Sequence, residues 1–163
     1  MRPSAPPPLP FPLPPLGEVL LRTRAEALSA LRAAGWRPWA IPIGLDAEQR
    51  RLLNVDLSEP DVSCGVEGDV VAVAHVEADR AGLVTLLEVT AAVPVPPEDV
   101  AAALLGEPGP PRIGGGAEAR EWVWGPETGG GGEVAGEPVR LWICAERAYG
   151  DRLWAVASVV RHG

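Results

Sequence analysis

The chain has 163 residues, a formal net charge of −8 and a composition that is 47% apolar, with no lysine and only two histidines. This length and apolar content suit one domain with an ordinary core, while the lack of lysine excludes a Walker-type phosphate loop and Schiff-base chemistry. The acidic charge argues against a nucleic-acid partner, and no apolar run reaches the roughly 20 residues of a membrane-spanning helix, so no membrane partner is expected.

The first segment, residues 3–15, is dense in proline and favours extended polyproline II structure, because proline fits neither a helix interior nor a central strand. Residues 1–16 are therefore predicted to form a disordered arm outside the fold, followed by a single α+β domain over residues 17–163. Pro7 and Pro10 also satisfy the PxxP spacing that SH3-type grooves bind. A plain linker and a recognition segment are thus alternative interpretations of the arm.

A helix is predicted over residues 18–34, where leucines recur at helical spacing and Gly35 provides a C-terminal stop. Residues 36–43 are extended but contain two prolines, which restricts them to a sheet edge or an irregular crossover. A short helix beginning at Asp46 is expected next, because Asp46 can cap its first turn and Gln49 stands at the reciprocal position.

Residues 69–77 and 83–93 are predicted to form two strands joined by a turn, because β-branched residues dominate and alternate with polar ones. A further short helix is expected at Pro97, where two acids follow the proline and apolar residues recur up to Gly106. Loops are predicted over residues 107–116 and 125–136, which are rich in glycine and proline, with a brief strand at 121–124 between them.

The last part of the sequence contains two alternating segments around a turn at Tyr149-Gly150. A two-residue turn places Trp154 and Val156 on the face of Val139, and sets alanines beside Trp142, whereas a three- or five-residue turn reverses this assignment. The predicted fold class is α+β: a mainly antiparallel sheet of five to six strands, packed by an N-terminal helix and a short second helix, with the proline-rich arm outside it.

A catalytic interpretation centres on His75, the only histidine within a predicted strand. Its apolar neighbours favour a buried, neutral side chain with a structural role. In the alternative, Ser63 or Cys64 is a nucleophile beside His75 with Asp69 as the orienting acid, although no GxSxG elbow is present. The pocket of such a small enzyme or ligand-binding domain consists of His75, Ser63, Asp69, Trp122 and Trp124. No metal or cofactor is expected, since two histidines cannot form a multi-histidine site.

Residues 46–79 contain nine carboxylates. They do not follow the calcium-loop pattern, because the position that requires glycine holds Asp61, and a solvated acidic surface is the preferred interpretation. Cys64 and Cys144 are expected to be free and buried, since a domain of this size in the cytoplasm needs no disulfide.

The order of predicted elements resembles the small acidic dimeric chaperones of secretion systems and the related YbjN-type domains. This resemblance implies another protein as partner and is compatible with a homodimer. The leading hypothesis is therefore a cytoplasmic, non-enzymatic protein-binding module, of the chaperone, adaptor or immunity type, that uses an exposed sheet face around a tryptophan and an acidic surface. The residues predicted to contact the partner are Arg140, Trp142, Glu146, Arg161, Asp56, Glu59 and Asp61.

Overall fold

The computed structural model of the protein describes residues 9–39, 48, 60–66, 69–147 and 152–160. Within these ranges the chain forms two α-helices and one antiparallel sheet of nine strands. The elements are α1 (Arg24–Ala34), α2 (Pro97–Leu105), β1 (Arg37–Pro38), β2 (Val62–Val66), β3 (Asp69–Ala78), β4 (Val84–Ala91), β5 (Arg112–Gly115), β6 (Ala119–Trp124), β7 (Gly132–Val134), β8 (Glu137–Glu146) and β9 (Arg152–Val159). The strand order is β1-β2-β3-β4-β9-β8-β6-β5, and β7 pairs with the beginning of β8. The α+β class and the antiparallel sheet are confirmed.

The sheet is larger than the five to six strands predicted, because short strands form in segments expected to be loops. Both β5 and β7 come from glycine-rich sequence and contain a single β-branched residue each, Ile113 and Val134, which is too few to mark a strand. At the end of β5, Gly115 has a φ of +89°, and a Cβ there would lie 2.3 Å from the carbonyl oxygen of Ala119. The hairpin between β5 and β6 therefore needs glycine at this position.

One face of the sheet, here called the first face, carries the hydrophobic core. Both helices and residues 9–20 pack against it, with Leu28, Leu31 and Leu104 among the buried helix side chains. The side chains that β3, β4, β8 and β9 contribute to this face are Ala72, Ala74, Val76, Leu87, Val89, Ala91, Val139, Leu141, Ile143, Leu153, Ala155 and Ala157.

The proline-rich segment is part of this core over residues 9–16, so the prediction that it lies outside the fold is wrong for that part. Phe11 and Leu16 are each only 1% exposed. The Phe11 ring meets Trp36 edge-on at a centroid distance of 6.0 Å, and Nε1 of Trp36 donates a hydrogen bond to the carbonyl oxygen of Pro12 at 2.6 Å. An extended proline segment can pack in this way because it has few N–H groups that need partners. Residues 1–8 lie outside the described residues.

The first helix begins at Arg24 and not at residue 18. Thr23 is its N-cap: the Thr23 hydroxyl accepts the N–H of Glu26 at 3.2 Å, and the Glu26 carboxylate accepts the N–H of Thr23 at 3.2 Å. Leu21 has a φ of +59°, which a helix does not allow, and Leu16–Glu18 forms a separate 3-10 turn. A capping box within the predicted helix therefore marks its true start.

Thr23→Ala is expected to lower the free energy of unfolding by about 1 kcal/mol, because the N–H of Glu26 loses its acceptor at the helix start. Urea unfolding measures the change. Ser29→Ala, at an exposed position of the same helix, is the control and is expected to match the wild type or exceed it.

The same capping box makes the difference in stability between the wild type and Thr23→Ala depend on pH. The hydrogen bond from the Thr23 hydroxyl lowers the pKa of Glu26. A carboxyl group whose pKa is lower in the folded state than in the unfolded state stabilises the fold at pH values above the ordinary glutamate pKa. This stabilisation is lost as the pH falls through the lowered pKa. The wild type and Thr23→Ala are therefore expected to differ less at acid pH than at neutral pH. A difference that grows on acidification would contradict the assignment.

The register of β8 and β9 reverses the face predicted for the last strand. Glu146 lies opposite Arg152, so five residues separate the paired strands and not two. Trp142 consequently pairs with Val156, and Cys144 with Trp154, on the face away from the helices. The assignment of Trp154 and Val156 to the face of Val139 was wrong because it assumed a two-residue turn.

Other predictions are confirmed within the described residues. The strands β3, β4, β8 and β9 and the helix α2 lie where the sequence placed them. The first described residues of the 36–43 segment form β1 at an edge of the sheet, as its prolines required. The short helix expected at Asp46 lies outside the described residues, except for Glu48, which is helical and exposed.

Candidate partner-binding face

The opposite side of the sheet, here called the second face, has a different character. Its side chains are Val73, His75, Glu77, Leu86, Glu88, Thr90, Glu121, Val123, Arg140, Trp142, Cys144, Glu146, Arg152, Trp154, Val156 and Ser158. Neither α1 nor α2 packs on it, because the buried side chains of both helices belong to the core of the first face. Val73, Val123 and Cys144 are buried but do not belong to that core.

Trp142 and Trp154 form the centre of the second face. They lie on neighbouring strands and meet edge to face, with ring centroids 5.1 Å apart and an interplanar angle of 84°. Both side chains are partly exposed, as is Val156, which lies opposite Trp142 on β9. An edge-to-face aromatic pair contributes about 0.5–1.5 kcal/mol beyond its burial, so the pair holds the Trp142 ring in a fixed position.

Two of the charged residues beside this pair, Arg140 and Glu146, are neutralised within the chain. Nε of Arg140 lies 2.9 Å from Oε1 of Glu127, and this hydrogen bond lowers the pKa of Glu127. Glu146 pairs with Arg152, whose side chain is buried. The predicted residues Arg140, Trp142 and Glu146 thus share one face, which presents an apolar centre between two internally balanced ion pairs.

Asp61, predicted to contact the partner, has an internal role. Its carboxylate is only 8% exposed, pairs with Arg24 and accepts the N–H of Val76 at 2.9 Å. Oδ2 of Asp61 also lies 3.2 Å from Nδ1 of His75, while Nε2 of His75 lies 3.6 Å from Oε1 of Glu77. A carboxylate enclosed in this way has little surface left for a partner.

The structure does not bring Trp122 and Trp124 to His75, as the alternative pocket requires. Ser63 lies near His75, since it pairs with Val73 on the adjacent strand. Trp122 and Trp124 point to the first face from β6, four strands from β3, or about 20 Å away at normal strand spacing. Asp69 begins β3, about 20 Å along the strand from His75, and its side chain is outside the described residues.

The two cysteines offer no activated nucleophile. Both are free and buried, as predicted, with Cys64 on the first face of β2 and Cys144 on the second face of β8. Burial raises the pKa of each thiol. Because the thiolate is the reactive form, both cysteines are poor nucleophiles at neutral pH.

The structure describes some of the acids of the predicted acidic surface. Asp46, Asp56, Glu59, Glu67 and the predicted contact Arg161 lie outside the described residues. Glu77 is exposed, whereas Oδ1 of Asp79 accepts the N–H groups of Ala81 and Leu83, at 2.9 and 3.0 Å, in the β3–β4 turn. Of the described acids in this stretch, Asp61 and Asp79 therefore stabilise the fold.

Sequence reasoning missed Trp154 and Val156 as members of this face. The signal that finds them is strand parity, since a five-residue connection puts Trp154 on the same side as Trp142.

Comparisons with protein-family models, with curated proteins and with solved structures found no match. In the part of the chain that the structure describes, no three histidine, cysteine or acidic side chains come together as metal ligands. Neither described helix has the length and apolar character needed to cross a bilayer.

Proposed function

We propose that the protein is a non-enzymatic protein-binding module of the chaperone, adaptor or immunity type, and that its partner contacts the second face around Trp142. The observation that carries the proposal is the partly exposed Trp142–Trp154 pair at the centre of a face that neither α1 nor α2 covers. Tryptophan is enriched among the few residues that dominate binding energy in protein interfaces.

The surroundings of the pair suit a protein partner. Leu86 and Val156, which are both partly exposed, extend the apolar surface on neighbouring strands, and the ion pairs of Arg140 and Glu146 lie at its margin. An apolar centre with a polar rim is the usual anatomy of an interface. The net charge of −8 would favour approach by a basic partner through long-range attraction.

An enzyme is the less supported function. The residues of the alternative pocket are divided between the two faces and between distant strands. A nucleophile and its base must come within about 3 Å of each other, and the buried thiol of Cys64 lies on the first face while His75 lies on the second.

The test is affinity capture and titration with the partner, using wild type, Trp142→Ala and Trp142→Phe. Trp142→Ala is expected to weaken binding by about 30-fold, the effect of losing about 2 kcal/mol at a central interface tryptophan. Ile113→Ala is the matched control, because Ile113 is an exposed apolar side chain, 54% accessible, on the first face. This control is expected to bind as the wild type does.

Urea unfolding of each variant separates a lost contact from a lost fold. If Trp142→Ala remains folded and binds the partner as tightly as Ile113→Ala does, the proposed face is not the interface. Sedimentation of the isolated protein addresses a second copy as partner: a dimer that dissociates in Trp142→Ala, but not in Ile113→Ala, would identify a homodimer on this face.

A further inference from the structure

A groove opens on the first face beside the beginning of α2. Its volume is about 560 Å³, which lies in the range of small-molecule sites. The connection before α2 supplies Val95 and Pro96, β6 supplies Trp122, and β8 supplies Ala145. Val95 and Trp122 are nearly buried, at 7% and 8% exposed, so the floor of the groove is apolar.

Two arginines stand at the same groove. The guanidinium carbon of Arg120 lies 5.5 Å from the ring centroid of Trp122, a cation–π contact that holds the side chain at the groove wall. Arg147 lines the groove just beyond the end of β8. Both side chains belong to exposed residues.

Neither guanidinium is neutralised in the part of the chain that the structure describes, where no carboxylate lies at ion-pair distance from Arg120 or Arg147. Glu118 contacts Arg147 only through the backbone, as its carbonyl oxygen accepts the N–H of Arg147 at 2.8 Å. The described arginines that do pair with carboxylates are Arg24, Arg140 and Arg152. In a chain with a net charge of −8, two cations at one groove that have no carboxylate partner among the described residues mark a local positive field.

We propose that this groove binds a small organic anion, whose apolar body lies against Trp122 and Val95 and whose carboxylate or phosphate group is held by Arg120 and Arg147. The planar guanidinium matches both oxyanions and remains charged at every physiological pH. The volume admits a compound of drug-like size and not a folded partner. This site lies on the opposite side of the sheet from Trp142 and is independent of the proposed interface.

Isothermal titration calorimetry with 3-phenylpropionate, phenyl phosphate and the neutral amide 3-phenylpropionamide tests the proposal. At least one anion is expected to bind more tightly than the amide by about tenfold or more, and its affinity should fall with added salt. The preferred anion distinguishes a carboxylate site from a phosphate site. The indole N–H signal of Trp122 in NMR spectra is expected to shift on binding.

Arg120→Gln and Arg147→Gln are each expected to weaken the preferred anion by about tenfold, because each removes one charged hydrogen-bond donor. Arg80→Gln is the matched control, since Arg80 is an exposed arginine of the β3–β4 turn, remote from the groove. All three positions are exposed, so the variants should fold. The proposal is overturned if no probe binds at millimolar concentration, if the amide binds as well as the anions, or if both groove variants bind like Arg80→Gln.

Discussion

Replacing Phe11 by alanine is expected to lower the free energy of unfolding by about 3–5 kcal/mol, the cost of removing a buried aromatic ring and leaving a cavity. Phe11 is 1% exposed and contacts Trp36, which itself is 2% exposed. Domains of this size are stable by only about 5–15 kcal/mol, so the variant should unfold at a much lower urea concentration.

Pro10→Ala provides the control, because Pro10 precedes Phe11 in the same segment and is exposed. Its unfolding midpoint should stay close to that of the wild type, within about 0.5 kcal/mol. If Phe11→Ala and Pro10→Ala unfold at the same urea concentration, residues 9–16 do not contribute to the core, and the sequence-based view of this segment as a free arm is restored.

Asp61→Ala is expected to lower the free energy of unfolding by about 2–3 kcal/mol. Most of the loss comes from the N–H of Val76, which loses its acceptor at 2.9 Å. The ion pair with Arg24 adds little, because the Arg24 side chain is 54% exposed and water screens the attraction. Asp61→Asn should lower the free energy of unfolding by less than half as much, since its amide oxygen can still accept the hydrogen bond from the N–H of Val76.

Glu77→Ala serves as the comparison for Asp61. Glu77 also faces His75, at 3.6 Å, but its carboxylate is 62% exposed and the variant should change stability by no more than about 0.5 kcal/mol. Equal stability of Asp61→Ala and Glu77→Ala would show that Asp61 is not enclosed, and would return it to the candidates for partner contact.

The elements that the sequence predicted well are those with strong local signals. Strands β3, β4, β8 and β9 have β-branched residues in alternation, and α2 has a proline and two acids in its first turn before an apolar stripe. In each of these elements the packing in the fold agrees with the secondary structure that the residues favour locally. Local sequence patterns were therefore sufficient to predict them.

Features that depend on distant partners could not be predicted. Strands β5 and β7 are short and glycine-containing, with one β-branched residue each, so pairing with a neighbour determines them. The face of Trp154 depended on the length of one connection, because a shift of one residue exchanges the two sides of a strand. For the same reason Trp142 was placed among candidate contacts while its partner Trp154 was not.

The groove could not be predicted from the sequence either. Arg120 and Arg147 are far apart in the chain and belong to no recognisable motif. They meet only because β6 pairs with β8, with Arg120 opposite Ala145. A site built from the ends of neighbouring strands appears only when the strand register is known.

The outermost strands among the residues that the structure describes limit how two copies of the chain can meet. At one edge, β1 has only two residues, Arg37 and Pro38, and proline has no N–H to donate. At the other edge, β5 has four residues and ends at Gly115 in a left-handed conformation. Short edges of this kind resist extension by a further strand, which protects a protein from aggregation. A second copy would therefore have to stack on a face of the sheet instead of continuing it side by side.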